Sequence, residues 1–343
     1  MSETRISLAL QDAGGLPEGG RVLIVRPTAT SDLSDLPRER SLIVTGFCPD
    51  LGHWQQAGWQ VARVPEGEFA AALLILPRAK ALAHALIHDI AGLLPLGAPI
   101  LIDGQKTDGI DAALKDLRNR AEVVASVSKA HGRAIALRNP GPLAFADWQG
   151  GPYQVAPGFI ARPGVFSADG IDPGSALLAA HLPKQLKGKG ADLGAGWGWL
   201  AAQILTRPEV RELHLVEAEA LALDCARQNV ADERATFHWA DATSFNAGKA
   251  LDFVVMNPPF HQGRTADPAL GAAFIRTAQR LLQPKGQLWM VANRTLPYEE
   301  VLTSAFANVT AVAIEGGFKI LQATRPHAPG KPAPTRNDQR QHR

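Results

Sequence analysis

Short apolar runs alternate with helix-period stretches along the first half of the chain. Arg21-Val22-Leu23-Ile24-Val25, Leu42-Ile43-Val44-Thr45 and Ala72-Leu73-Leu74-Ile75-Leu76 are dense in Val, Ile and Leu, the pattern of strands buried on both faces. Leu82 to Leu94 predicts a helix, Pro99-Ile100-Leu101-Ile102-Asp103 a further strand, and Ile110 to Arg120 a further helix. Strands that alternate with helices join most simply by parallel crossovers. The pattern therefore predicts an α/β layer fold with a mainly parallel sheet.

The second half repeats the plan. Leu73-Leu74-Ile75-Leu76-Pro77 falls against Val254-Val255-Met256-Asn257-Pro258, and Leu93-Leu94-Pro95-Leu96-Gly97 against Leu281-Leu282-Gln283-Pro284-Lys285-Gly286. Each half then closes with a hairpin pattern, Val123 to Val127 with Arg133 to Leu137, and Val309 to Ile314 with Phe318 to Ala323. This predicts a duplicated domain, with two unrelated α/β domains as the alternative. Where the second copy has Asn257 and a glycine-rich turn, the first has Leu76 and no such turn. The first copy is expected to bind no cofactor and to support folding or grip substrate.

Composition sets the boundaries. Residues 139–164 are rich in Gly and Pro, which places a first domain at 1–140, a linker at 141–165 and a second domain at 166–324. The segment 325–343 carries five basic residues against Asp338 and few large apolar ones, so it is expected to be a disordered basic tail. The net charge of only +2 excludes a body that binds nucleic acid by overall charge, and any basic groove must be local. Two distant cysteines, Cys48 and Cys225, suggest a reduced, cytoplasmic protein. No run approaches the roughly 20 apolar residues of a membrane span, and residues 1–20 lack a signal-peptide core.

Candidate chemistry lies in the second half. The run Asp252-Phe253-Val254-Val255-Met256 ends in Asn257-Pro258-Pro259-Phe260. The two prolines have no N–H, so the local backbone offers carbonyl oxygens with few competing donors. The Asn257 side-chain oxygen and the Pro258 carbonyl can hold the two hydrogens of an amino group, and Phe260 can stack on the planar group that carries it. An ordinary strand-ending turn uses the same residue types. Asp192, followed by glycines at 194, 196 and 198, reads as a strand, a tight turn and a helix start. Trp199 stands where a dinucleotide fingerprint needs its third glycine, and an acid before G-x-G-x-G suits the methionyl ammonium of S-adenosylmethionine better. Glu217 and Asp241 end the next two predicted strands, where acids can meet ribose hydroxyls and an adenine amino group or simply cap helices.

With these residues in place, the chain resembles the class I S-adenosylmethionine-dependent methyltransferases. More narrowly it resembles the bacterial 16S ribosomal RNA guanine-N2 methyltransferases, which pair a degenerate copy with a catalytic one. The resemblance is carried by Pro163 to Ser167, Asp192 to Gly198, Asn257 to His261, Val291-Ala292-Asn293 with Leu296-Pro297-Tyr298, Gly317-Phe318-Lys319, and Leu93-Leu94-Pro95. It implies two tandem Rossmann-like methyltransferase domains, a cofactor site at Phe166, Asp192, Gly194, Gly196, Glu217 and Asp241, and a catalytic site at Asn257, Pro258 and Phe260. It also implies ribosomal RNA or the small subunit as partner and guanine as acceptor; no metal is expected, and a monomer is favoured with the oligomeric state left open. Adenine N6, a 23S guanine, a protein glutamine and a non-catalytic assembly role remain the alternatives.

Other residues invite weaker readings. His84, His88 and Asp89 share a predicted helix, but no third metal ligand is evident. His261 is taken as pocket wall, because an amino nitrogen can lose its proton after transfer. Arg264, Arg294 and Lys319 could contact phosphate, but are expected as solvated side chains. Trp197 and Trp199 are expected to pack behind the glycine turn.

Overall fold

The structure is a computed structural model that describes residues 4–259, 261–262, 265–266 and 268–328. It divides into two compact units, Met1–Tyr153 with Arg162–Gly164, and Gln154–Ala161 with Val165–Arg343. Phe260, Arg264 and residues 329–343 of the expected tail lie outside the described residues.

The first unit contains β1 (Val22–Val25), β2 (Ser41–Val44), β3 (Gln60–Ala62), β4 (Ala71–Ile75), β5 (Pro99–Gln105), β6 (Val123–Lys129) and β7 (Gly132–Arg138). They form one sheet in the order β3-β2-β1-β4-β5-β7-β6. The first five strands run parallel, and the β6–β7 hairpin closes the edge antiparallel. Its helices are α1 (Arg5–Asp12), α2 (Cys48–Gln56), α3 (Lys80–Leu93) and α4 (Ile110–Arg118). Leu23, Ile24, Leu73, Leu74, Ile100 and Leu101 are shut off from solvent, which is why β1, β4 and β5 read as unbroken apolar runs.

The second unit takes in most of a short hairpin, β8 (Tyr153–Ala156) and β9 (Phe159–Ala161), and then α5 (Pro173–His181). It continues through β10 (Gly188–Leu193), α6 (Trp199–Leu205), β11 (Val210–Glu217), α7 (Ala220–Asn229), β12 (Ala235–Trp239) and β13 (Leu251–Met256). Then follow β14 (His261–Gln262), β15 (Thr265–Ala266), α8 (Pro268–Leu281), β16 (Leu282–Asn293), α9 (Tyr298–Ala305), β17 (Phe306–Glu315) and β18 (Phe318–Pro326). The main sheet has the order β12-β11-β10-β13-β16-β18-β17, the topology of the first unit repeated. The duplicated α/β plan is therefore present in the structure.

Strand register refines how the copies correspond. Val25 pairs with Val44 and Leu74, and Leu193 pairs with Val216 and Met256. The Arg26 N–H donates to the Val44 carbonyl at 2.8 Å, and the Gly194 N–H to the Val216 carbonyl at 2.9 Å. Asp192 thus corresponds to Ile24, Gly194 to Arg26, Glu217 to Thr45, and Asn257 to Ile75. The expected match of Asn257 with Leu76 is off by one residue, because an unbroken apolar run carries no mark of register. The first copy lacks the acids and the glycine, yet Arg26 keeps a left-handed φ of 55° at the same bend.

Two further expectations change. Residues 141–165 are not bare linker: Phe145 and Trp148 belong to the first core, and β8 and β9 precede the second sheet. The β18 strand runs to Pro326, so the start expected for the tail, Arg325, is paired structure. Helices α1 and α2 were not anticipated. Thr4 caps α1 by accepting the Ser7 N–H at 3.0 Å, and Ile6, Ala9 and Leu10 bury its inner face.

Candidate active site

Strands β10 and β13 are neighbours, and the sheet builds outward from them in opposite directions. Their carboxyl ends, Leu193 beside Met256, flank the topological switch point where α/β sheets place ligands. Asp192 lies one residue inside β10, between Leu215 and Val255, with none of its surface exposed. Neither carboxylate oxygen has a hydrogen-bond partner among the described residues. Burial pushes its carboxyl up to about 8, and the negative Glu217 nearby adds to the rise. Burying an acid without a partner is costly in its charged form, which is the cause of this rise.

The glycine turn follows β10 directly. The Gly194 and Ala195 N–H groups donate to the Val216 carbonyl at 2.9 and 3.1 Å, which ties the turn to the end of β11. The Gly196 N–H donates to Glu217 Oε2 at 2.8 Å, and Glu217 Oε1 accepts the Glu219 N–H at 2.8 Å. Burial raises the Glu217 carboxyl, and these N–H donors oppose the rise. Gly198 precedes α6 with φ of 89°, and a Cβ there would come within 2.9 Å of Val230 and 3.1 Å of Ala226. Only glycine satisfies both the left-handed backbone and this approach to α7.

Asn257 follows β13. Its Nδ2 donates to Asp172 Oδ2 at 2.8 Å and to Ser175 Oγ at 2.9 Å. Its Oδ1 is buried and without a partner among the described residues. Asp172 and Ser175 come from the start of α5, where Asp172 accepts the Ser175 N–H at 2.7 Å as helix cap. A pocket is lined by Phe166, Ser167, Asp172, Ser175, the turn from Gly194 to Trp197, Trp199, Leu200 and Asn257. The expected residues Phe166, Gly194, Gly196 and Asn257 thus meet around one space.

The remaining expected residues are placed differently. Glu217 reaches the turn through the Gly196 N–H rather than lining the pocket. Asp241 Oδ1 accepts from the Thr243 N–H and hydroxyl at 2.8 and 2.7 Å, so it holds its own turn and does not line the pocket. Pro258 is buried and Pro259 exposed. Phe166 is 56% exposed and lines the pocket, and its carbonyl accepts the Trp197 indole N–H at 3.0 Å. Trp197 is buried beside Phe159, Ala222 and Cys225, whereas Trp199 is half-buried. Lys319, expected in solvent, is buried, and its Nζ donates to the Leu296 carbonyl and Glu299, both at 2.6 Å. His84 stacks on Trp148 with centroids 3.8 Å apart, and His88 bonds to the adjacent Asp89 at 3.0 Å.

Sequence reasoning read Asp172 and Ser175 only as a helix start. The Ser/Asp pattern was visible, but the bond to Asn257 joins residues distant in the chain and leaves no local trace.

Comparison with known proteins places this arrangement. Residues 157–322 match the model of the methyltransferase small domain. The ribosomal RNA small subunit methyltransferase C of Acinetobacter baylyi is 30% identical over 88% of this chain and 94% of its own. Its namesake from Klebsiella pneumoniae is 34% identical over 71% of this chain and 72% of its own. Among solved structures, a T. thermophilus 16S rRNA N2 methyltransferase in complex with AdoMet and guanosine superposes with a TM-score of 0.77 at 23% identity, covering 92% of this chain and 91% of that one. No helix among the described residues is long and apolar enough to cross a membrane. With identity of this level over nearly the whole length of a relative, the chain belongs to the ribosomal RNA small subunit methyltransferase C family.

Proposed function

We propose that this protein methylates the exocyclic N2 of a guanine in 16S ribosomal RNA, with S-adenosylmethionine as donor. The observation that carries the reading is Asn257 Oδ1, a buried acceptor beside the glycine turn without a partner among the described residues. Family membership and the fold of the T. thermophilus enzyme support it. Around the pocket the residues fit the cofactor: Gly194 and Gly196 offer an open turn and Phe166 an apolar side chain, while behind the lining Asp192 is a buried acid without a partner among the described residues and Glu217 braces the turn through the Gly196 N–H. When bound there, S-adenosylmethionine supplies an electrophilic methyl group.

The protein's own contribution is placement. Asn257 Oδ1 accepts one N–H of the guanine amino group, and the Pro258 carbonyl is assigned the other. Two aimed acceptors orient the nitrogen lone pair and favour the positive charge that grows on nitrogen as the bond forms. No strong base is needed, because the proton leaves a nitrogen already made acidic by that charge. Phe260 is assigned the face of the base, which must leave any paired stack before it can be reached.

The partner in this reading is the small subunit or its free RNA, met by a monomer in the cytoplasm. Cys48 and Cys225 form no disulfide, in keeping with a reducing compartment. The test incubates methyl-labelled S-adenosylmethionine with subunits from cells that lack the gene. Label recovered as N2-methylguanine, and lost with Asn257→Ala, is expected. Label on adenine or on glutamine, or none with cofactor bound, overturns the reading.

A further inference from the structure

Asp172 serves two donors with one oxygen. Its Oδ2 accepts the Ser175 N–H at 2.7 Å and Asn257 Nδ2 at 2.8 Å. Ser175 Oγ accepts the second Nδ2 hydrogen at 2.9 Å. An amide whose nitrogen is held this way cannot reverse, because its oxygen would then face a carboxylate that only accepts. Asn257 Oδ1 is left as the buried end, without a partner among the described residues.

The carboxylate is itself held by the sheet. Pro173 occupies the first helical position of α5 with φ suited to it. Gly174 lies against Phe318, where a Cβ would come within 3.1 Å of the ring. Phe318 pairs with Asn293, so the first turn of α5 rests on β18 and β16 rather than on a loop. A charged acceptor fixed at this place can set the orientation of a second side chain.

From this juxtaposition we infer that Asp172 is a positioning residue for methyl transfer: it locks the Asn257 amide with Oδ1 presented to the substrate amino group. Its negative charge also draws on the amide N–H and makes Oδ1 the stronger acceptor, as in any polarised hydrogen-bond chain. The inference rests on the reading of Asn257 given above and adds a residue to it.

The test compares Asp172→Gly, Asp172→Asn and Ser175→Ala in wild-type and Asn257→Ala backgrounds. Glycine is nearly as good as aspartate at an N-cap, so the helix start survives while the acceptor is lost. Asparagine keeps an oxygen able to take both bonds. Asp172→Gly is expected to lower kcat about tenfold or more, the worth of one hydrogen bond to a charged group. The KM for RNA and the cofactor Kd should stay within about twofold, as for a group that acts on the transition state. Asp172→Asn should recover most of the loss, Ser175→Ala should show a smaller fall in kcat, and none should cost anything further beside Asn257→Ala. A wild-type kcat in Asp172→Gly, an equal loss in both backgrounds, or a loss confined to KM or cofactor binding overturns the inference. Should Asp172→Gly fold poorly, Ser175→Ala decides by the same criterion. A wild-type protein that places no methyl on guanine fails the functional reading instead, before any variant is compared.

Discussion

Glu217 holds the Gly196 N–H with one carboxylate oxygen and the Glu219 N–H with the other, each at 2.8 Å. One side chain therefore joins the β10–α6 turn to the β11–α7 turn. A glutamine at 217 can accept at only one of these places, and its NH2 would meet a backbone donor at the other. Glu217→Gln is expected to cost about 1–3 kcal/mol of stability, as for an abandoned buried donor. Cofactor affinity should fall with it, and urea denaturation beside calorimetric titration measures both. Unchanged stability and affinity would show that the two turns hold themselves.

Asp192 makes stability depend on pH. Its folded carboxyl keeps its proton to about 8, while the unfolded one releases it near the ordinary value of 3.8. Between those limits the folded state binds more protons than the unfolded state, so stability falls as pH rises through this window. Glu217, also raised, contributes in the same direction. Thermal denaturation of the cofactor-free protein from pH 5 to 8 should show a falling Tm. Asp192→Asn should flatten that slope without removing it, and an unchanged slope would place the effect elsewhere.

Cofactor binding should run against this trend. A cationic ammonium beside Asp192 favours the ionised acid, so binding near pH 7 releases a proton and affinity rises with pH until the free carboxyl is already ionised. Titration calorimetry in two buffers of different ionisation enthalpy counts the released protons. Release should approach one per cofactor near pH 7 and vanish in Asp192→Asn. No release in the wild type would mean that the ammonium is met by some other group.

These effects depend on features of uneven visibility in the sequence. The parallel strands were legible because Val22 to Val25 and Leu251 to Met256 are buried on both faces and so are apolar without interruption. The same uniformity hid the register, and the copies were aligned one residue apart at Asn257. Asp192 and the glycine turn were readable because glycine and acid together are uncommon at a strand end. Asp172 was readable only as a helix cap, since its second partner is set by the packing of α5 on the sheet. Lys319 misled for the same reason: charge suggests exposure until a carbonyl and a carboxylate are found to meet it. Helix α1 carries a threonine cap and a one-sided apolar face, so its signal was present and simply short.

The first copy offers the sharpest contrast. Ile24 occupies the place of Asp192, fully buried and packed with Ile43, Leu73 and Leu101. Nothing nearby corresponds to the pocket's demand for an acid: the turn glycine is Arg26, and the acid at the next strand end is Thr45. Ile24→Asp therefore restores the acid without the site. The new carboxyl would have no partner, and the isoleucine's packing would also be lost. Together these should cost about 3–5 kcal/mol, the range of the severest single core substitutions. Urea denaturation at pH 7 should show the loss, and cofactor titration should show no second binding event. The loss should shrink at pH 5, because the buried acid can then be protonated at smaller cost. An Ile24→Asp protein of wild-type stability would mean that the first copy still keeps room and polarity for a ligand at its switch point, and its description as a degenerate scaffold would have to be abandoned.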